Sequence, residues 1–155
     1  MLETAREQSH PFLTQISFFL ANKVGSLDRV VKELDRSQVY IQGLSIIDSH
    51  DHAVVRMIVD RPGKAEAALV ANGHKVCSTR VLAAAIKPDR DAVSKLLATL
   101  LRAELNVFYT YALMTRAANG DTIVVLHPDD IDTAISVLRS GGFQLLTEPD
   151  LDCQG

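Results

Sequence analysis

A chain of 155 residues with formal charge −3 is long enough for one ordinary domain or two small ones. Its mildly acidic balance leaves no basic footprint for nucleic acid or an anionic membrane. A mix of 47% hydrophobic and 23% charged residues is that of a globular protein, and no apolar run approaches the ~20 residues that span a bilayer. The start, MLETAREQSH, carries no apolar signal region, so a cytoplasmic chain is expected. Cys77 and Cys153 are too few and too far apart for a metal knuckle or a disulfide framework. They read as reduced thiols, Cys77 in a strand and Cys153 in a frayed tail.

Taken in chain order, residues 13–20, LTQISFFL, mix β-branched and aromatic types, as strands do. The turn ANKVGS follows, with Ser26 predicted as a helix N-cap whose hydroxyl accepts an orphan N–H. Leu27, Val30, Val31 and Leu34 then recur at helical spacing and form one apolar stripe. Residues 39–47, VYIQGLSII, form a second strand, DSHD (48–51) turns the chain, and AVVRMIV (53–59) returns it. Asp60 is placed to cap a second helix. Pro62 falls in that helix's first turn, where a missing N–H costs nothing. Ala65, Ala68 and Leu69 face inward, Asn72-Gly73 ends the helix, and residues 75–86 are extended. The predicted order is βαββαβ.

The second half repeats it. After the turn KPDRD, Val93, Leu96, Leu97 and Leu100 copy the first helix stripe: 93 minus 27 is 66, and 100 minus 34 is also 66. LNVFYTYAL (105–113) matches VYIQGLSII at the same offset. The turn RAANGD (116–121) is longer, and TIVVL (122–126) is the third strand. Asp129 is expected to cap a helix with Ile131, Ala134, Ile135 and Leu138 inward, and FQLLT (143–147) closes the sheet. Gly142 lies 69 after Gly73, so the hairpin has gained three residues. A constant offset with one local insertion is the trace of a duplicated unit of ~70 residues. The expected segments are a tail 1–12, units 13–80 and 81–151, and a tail 152–155.

The two helices of each unit can cover one face of its sheet. The strands 39–47 and 105–113 nevertheless carry apolar residues in both parities, unlike a strand with one wet face. Pairing of the units, and a homodimer besides, is the expectation.

Two sites stand out. In the first turn, Gly25 lets a ligand approach the backbone, and the helix start presents unpaired N–H groups. Such a terminus favours an anion. Asn22 offers an acceptor and donors together. In the second unit, Asp89 and Asp91 place negative charge at the equivalent helix start, which repels a carboxylate. A phosphate-loop reading fails, because neither G-x-x-x-x-G-K-[ST] nor G-x-G-x-x-G is present. On spacing alone, a plain tight turn with a helix cap is the favoured reading; the repeat and the resemblance given below tip it to a ligand site. Tyr109 and Tyr111 are two apart and share one sheet face; their unit-one equivalents are Gly43 and Ser45. They read either as a pocket wall or as ordinary packing between units.

DSHDH (48–52) reads as a solvated hairpin turn, since adjacent ligands on a tight turn rarely converge on one metal. His10, His74 and His127 carry no signal. No nucleophile–base pair, G-x-S-x-G elbow or paired-carboxylate motif emerges, so a non-enzymatic chain without metal or cofactor is expected.

Tandem βαββαβ units with NKVGSL at the first turn, VYIQGLSI after it and LNVFYTYAL in the second unit resemble the small stand-alone tandem ACT proteins, over residues 13–151. Those relatives typically read N-K-P-G-x-L at the first turn, matched here by Asn22, Lys23, Gly25 and Leu27. Their second unit typically reads I-N-V-E-Y-M-Y-A-F, which Leu105, Asn106, Val107, Tyr109, Tyr111 and Ala112 match or nearly match. Val24 replaces the usual proline, and Asp91 stands at the equivalent of Gly25. The resemblance implies a duplicated ferredoxin-like α+β fold and a sensor that holds a free amino acid at an interface between ACT units. It implies ligand contacts from Asn22, Lys23, Val24, Gly25, Ser26 and Leu27, with Tyr109 and Tyr111 as candidates for the side-chain pocket. The output would pass through oligomerisation or a separate effector protein. The alternatives are a module that regulates a partner through its sheet without ligand and, more remotely, an enzyme.

Overall fold

The structure, a computed structural model, describes residues 11–152. They form β1 (Leu13–Ala21), α1 (Ser26–Arg36), β2 (Ile41–Ser49), β3 (His52–Val59), α2 (Pro62–Ala71) and β4 (Val76–Ile86). After these come α3 (Ala92–Arg102), β5 (Val107–Arg116), β6 (Thr122–Pro128), α4 (Ile131–Ser140), β7 (Gln144–Leu145) and α5 (Glu148–Asp152). The order is βαββαβ twice, with β4 serving both halves. Contacts divide the chain inside β4, into Thr14–Thr79 and a second unit that takes in everything from Arg80 onward together with residues 11–13 at the start of the described chain. In the first unit the strand order is β2-β3-β1-β4; in the second, β6 lies between β5 and β4, and β7 also pairs with β4. The pairs β1–β3, β2–β3, β4–β6, β4–β7 and β5–β6 are antiparallel. Each unit is therefore an α+β ferredoxin-like sandwich, and the fold is duplicated.

Each core sits between one sheet face and two helices. In the first, Ile16, Phe18 and Leu20 of β1 and Val55, Met57 and Val59 of β3 pack with Val30 and Leu34 of α1 and Ala65 and Leu69 of α2. In the second, Leu82, Ala84, Ile86, Val124 and Leu126 pack with Leu96, Leu100, Ala134 and Leu138. The alternate positions of each strand supply these cores, as the two-residue period of a strand requires. In β4, however, Val81, Ala83 and Ala85 are as buried as Leu82, Ala84 and Ile86, so its second half is covered on both faces.

The helix stripes differ from expectation. Leu34 and Leu100 are both buried, but Val93 and Leu97 of α3 are exposed, whereas Leu27 and Val31 of α1 are half-buried. The second helix turns Leu96, Thr99 and Leu100 inward instead.

The helix ends repeat more faithfully than the stripes. Gln38 and Glu104 both take left-handed φ, 58° and 56°. Val39 and Leu105 then donate N–H to the carbonyls of Leu34 and Leu100. This closes the helix as a left-handed cap does and delays β2 and β5 to Ile41 and Val107, two residues later than predicted. After α2 and α4, Gly73 and Gly142 take φ 86° and 83°, and the next N–H bonds back to Leu69 or Leu138.

The predicted helix starts need correction. The N-cap of α1 is Gly25, and Ser26 is the first helical residue, with no side-chain cap. Asp60 and Asp129 do not cap: each carboxylate accepts the N–H of Tyr40 or Asn106 and ties the third strand's end to the second's start. Arg61 precedes α2 without a side-chain cap, while Asp130 caps α4 by accepting from Thr133 N. The closing strand is two residues instead of the five predicted at 143–147. Leu146 leaves it to donate to the Ala83 carbonyl, and α5 follows, with Leu151 buried. Cys77 lies exposed in β4; Cys153 and His10 fall outside the described residues.

Candidate functional site

The predicted site residues lie in both units. Asn22 to Leu27 belong to the first, and Tyr109 and Tyr111 to the second.

The turn begins where β1 leaves its pairing with β3 at Ala21 and His52. Lys23 N–H bonds the Ala21 carbonyl at 2.8 Å, Ser26 N–H bonds the Lys23 carbonyl at 3.2 Å, and Arg29 N–H bonds the Gly25 carbonyl at 3.1 Å to open α1. Gly25 has φ 84°, a region that L side chains enter only with strain. A Cβ there would meet nothing within 4 Å, so the glycine serves the backbone conformation and leaves open space above it. Among the described residues the N–H groups of Val24, Gly25, Leu27 and Asp28 have no partner. These are the orphan donors of a helix start. Asn22, Lys23, Val24 and Gly25 are exposed, Val24 wholly so at 101%, and Ser26 and Leu27 are half-buried.

Asn22 has a role that its residue type did not disclose. Its Nδ2 donates to Asp48 Oδ1 and to the His50 carbonyl, each at 3.3 Å, and its N–H donates to the Asp51 carbonyl. The amide donors thus fasten the turn to the tip of the β2–β3 hairpin, and Oδ1 is what remains for a ligand.

The second unit makes the same turn with other side chains. Asp89 N–H bonds the Lys87 carbonyl, Ala92 N–H the Asp89 carbonyl, and Lys95 N–H the Asp91 carbonyl. These are the unit-one bonds shifted by 66. Asp91, however, has φ −103° where Gly25 has 84°, and Asp89 replaces Lys23. The Asp91 carboxylate lies 3.7 Å from Lys95.

Tyr109 and Tyr111 project from one face of β5, their rings stacked with centroids 6.5 Å apart and planes 19° apart. His127, opposite Tyr109 in the β5–β6 register, completes the cluster at 4.9 Å from Tyr109 and 5.4 Å from Phe108. Sequence reasoning missed His127. Its position opposite Tyr109 follows from the β5–β6 register, which the longer hairpin and two bulges set. In the first unit Gly43 pairs with Ile58 and Ser45 with Arg56, so no such cluster exists at the equivalent place.

Among the described residues no group of three His, Cys, Asp or Glu is placed to hold a metal ion, and no helix is long and apolar enough to cross a membrane. DSHDH is the end of a tight hairpin, with Ser49 paired to His52 and His50 at φ 58°.

Comparison with known proteins matches the chain to a family model described as an ACT domain pair, over residues 12–153. Protein BT0572 from Bacteroides thetaiotaomicron has a similar structure, with 31% identity, a TM-score of 0.82, and 90% of this chain and 95% of that chain covered. The ligand-free regulatory subunit of aspartate kinase from Thermus thermophilus shares the fold at 11% identity and TM-score 0.60, covering 83% of this chain and 91% of that one. The regulatory subunit from Thermus flavus does so at 13% identity and TM-score 0.58, over 83% and 90%. No relative among the curated proteins matches.

Proposed function

This chain belongs to the ACT domain pair family, and from that premise we propose that it is a regulatory protein that senses a free amino acid rather than an enzyme. The ligand's α-carboxylate is held at the unit-one turn, Asn22 to Leu27, on the free N–H groups of Val24, Gly25 and Leu27. The Asn22 Oδ1 is available to the α-ammonium, and Lys23 adds a positive charge. The observation that carries this reading is the contrast between two turns with the same hydrogen bonds: unit one keeps an open glycine and a lysine where unit two has two aspartates. Exposed Tyr40 on the approach to β2, and Phe108 and Met114 on β5, support assembly with a second copy. The signal passes to a separate effector protein in the cytoplasm.

The test is calorimetric titration of the full chain with the common amino acids, followed by two variants. Both Gly25→Asn and Gly25→Asp carry the same strain at positive φ, and Asn and Asp tolerate that region better than other side chains. They differ in charge. Hydrogen bonds to a charged group are worth about 1.5–3 kcal/mol each, so the aspartate should bind roughly tenfold or more weakly than the asparagine, at ~1.4 kcal/mol per decade. Equal affinity of the two removes the turn from the site. Absence of any heat with all the amino acids removes the sensor reading, and a ligand-free interaction module takes its place.

A further inference from the structure

The first unit carries an open cleft of about 510 Å³ between the end of β1, α1 and the end of α2. That size lies within the range of small-molecule sites, about 300–1,000 Å³. Its floor is apolar, formed by Leu20, Val30 and Leu69, all buried. Its rim is cationic: α1 contributes Arg29, Lys32 and Arg36 against the single carboxylate Glu33, in a chain whose net charge is −3. The three cations are not equivalent. Lys32 pairs with Asp28 at 2.8 Å and Arg36 with Glu33 at 2.6 Å. The Arg29 guanidinium has neither a hydrogen-bond nor an ion-pair partner among the described residues. One turn earlier, on the same helix face, Ser26 brings a hydroxyl to the same wall.

The equivalent place in the second unit shows what this cleft requires. Thr99 and Gly141 stand where unit one has Glu33 and Asn72, and a Cβ on Gly141 would lie 3.0 Å from Thr99 Cγ2. Helices α3 and α4 thus close on each other there, whereas in unit one Asn72 meets Glu33 through a 3.4 Å hydrogen bond between long side chains. The remaining cavity is about 330 Å³ and includes Asp89 and Asp121. Lys95, at the position of Arg29, is engaged by Asp91. The duplication has kept the scaffold, while only unit one has an open apolar floor beside an unengaged guanidinium.

We propose that the unit-one cleft binds a small carboxylate with a branched apolar tail. The carboxylate sits on the Arg29 fork and the Ser26 hydroxyl, since a guanidinium matches a carboxylate with two parallel N–H donors. The tail lies on Leu20, Val30 and Leu69. This site is distinct from the amino-acid site proposed above: of the turn residues only Ser26 lines the cleft, and the occupant needs no amine.

The probe is 3-methylbutanoate, which has the carboxylate and the branched tail but no ammonium group. In two-dimensional NMR of the full chain it should produce saturable shifts at the amides of Ser26, Arg29, Val30 and His74. Arg29→Ala, at an exposed position, should weaken binding by about tenfold or more. Lys95→Ala, at the equivalent place in unit two, should leave it unchanged. The proposal is overturned if millimolar 3-methylbutanoate gives no saturable shift. It is also overturned if Arg29→Ala binds as tightly as wild type, or if inorganic phosphate binds the same residues with equal affinity. The last result would reduce the cleft to a bare cationic patch. Because the probe has no amine, a failed amino-acid titration leaves this test intact.

Discussion

The two ACT units share a backbone and differ in what that backbone exposes. Their helix ends close with the same left-handed residues, Gln38 and Glu104, and their turns after the first strand make the same three hydrogen bonds. Yet one turn has an open glycine with a lysine and the other two aspartates, and one helix pair leaves a cleft of about 510 Å³ where the other, close together at Thr99 and Gly141, leaves about 330 Å³. Backbone closure is held by many cooperative hydrogen bonds, so a duplicated copy loses it only by unfolding. A rim side chain is held by almost nothing, so it is free to diverge. The difference teaches that scaffold and surface answered separate constraints after duplication.

The comparison is tested most severely in the cores. Leu34 and Leu100 occupy equivalent positions and are both about fully buried. Leu34→Ala and Leu100→Ala should each lower unfolding free energy by about 2–5 kcal/mol, measured by denaturant melts. A cost confined to one of them would show that the units do not rely on equivalent cores.

A smaller effect should appear where the helix pairs differ. Gly141→Asn copies unit one into unit two and forces a Cβ to 3.0 Å from Thr99 Cγ2. Overpacking of this kind costs about 1–3 kcal/mol. Adding Thr99→Ser, which deletes that methyl, should recover much of the loss. A double variant no better than Gly141→Asn alone would show that the methyl does not set the helix approach. The reverse change Asn72→Gly should cost less, since Asn72 is exposed.

The smallest effect concerns the helix starts. Asp130 accepts from the Thr133 hydroxyl at 2.7 Å and from Thr133 N–H at 3.1 Å, and these bonds lower its pKa from the ordinary carboxylate value. A carboxylate lowered in the folded state stabilises it above its unfolded pKa and loses that contribution as pH falls through the folded value. Asp130→Ala should therefore be less stable than wild type near neutrality, and the two should converge in acid, below the ordinary carboxylate range. Thermal melts across pH give the check. A pH-independent gap would assign the effect to something other than the ionised cap. The unit-one counterpart, Arg61, has no side-chain cap, so Arg61→Ala should show no such convergence.

Much of this was legible in the residues, because the signals were local or periodic. The offset of 66, changing to 69 after one hairpin, was enough to reveal the duplication, and the buried positions Val30, Leu34, Leu96 and Leu100 followed from a 3.6-residue period. The caps were read less well. Ser26, Asp60 and Asp129 have the right chemistry for capping, but a side chain of that type bonds whichever N–H geometry brings near. Gly25 took the cap position of α1, and the two aspartates bonded the N–H groups of Tyr40 and Asn106 instead. Val93 and Leu97 kept the stripe's spacing and still face outward, while α3 turns Leu96, Thr99 and Leu100 inward.

The sequence by itself determined the duplication and the element order, since both rest on periodicity and spacing along one chain; the family followed from the resemblance of NKVGSL and LNVFYTYAL to known motifs. The tertiary structure alone decided what the polar groups do. Asn22 spends its donors on a hairpin tip 26–29 residues away, His127 joins the tyrosines through a register set by bulges, and Arg29 is left unengaged at the edge of a cleft. The physical reason is range. Apolar burial follows patterns that repeat every two or three to four residues, whereas a hydrogen bond or ion pair depends on a few ångströms between groups that only the finished fold brings near.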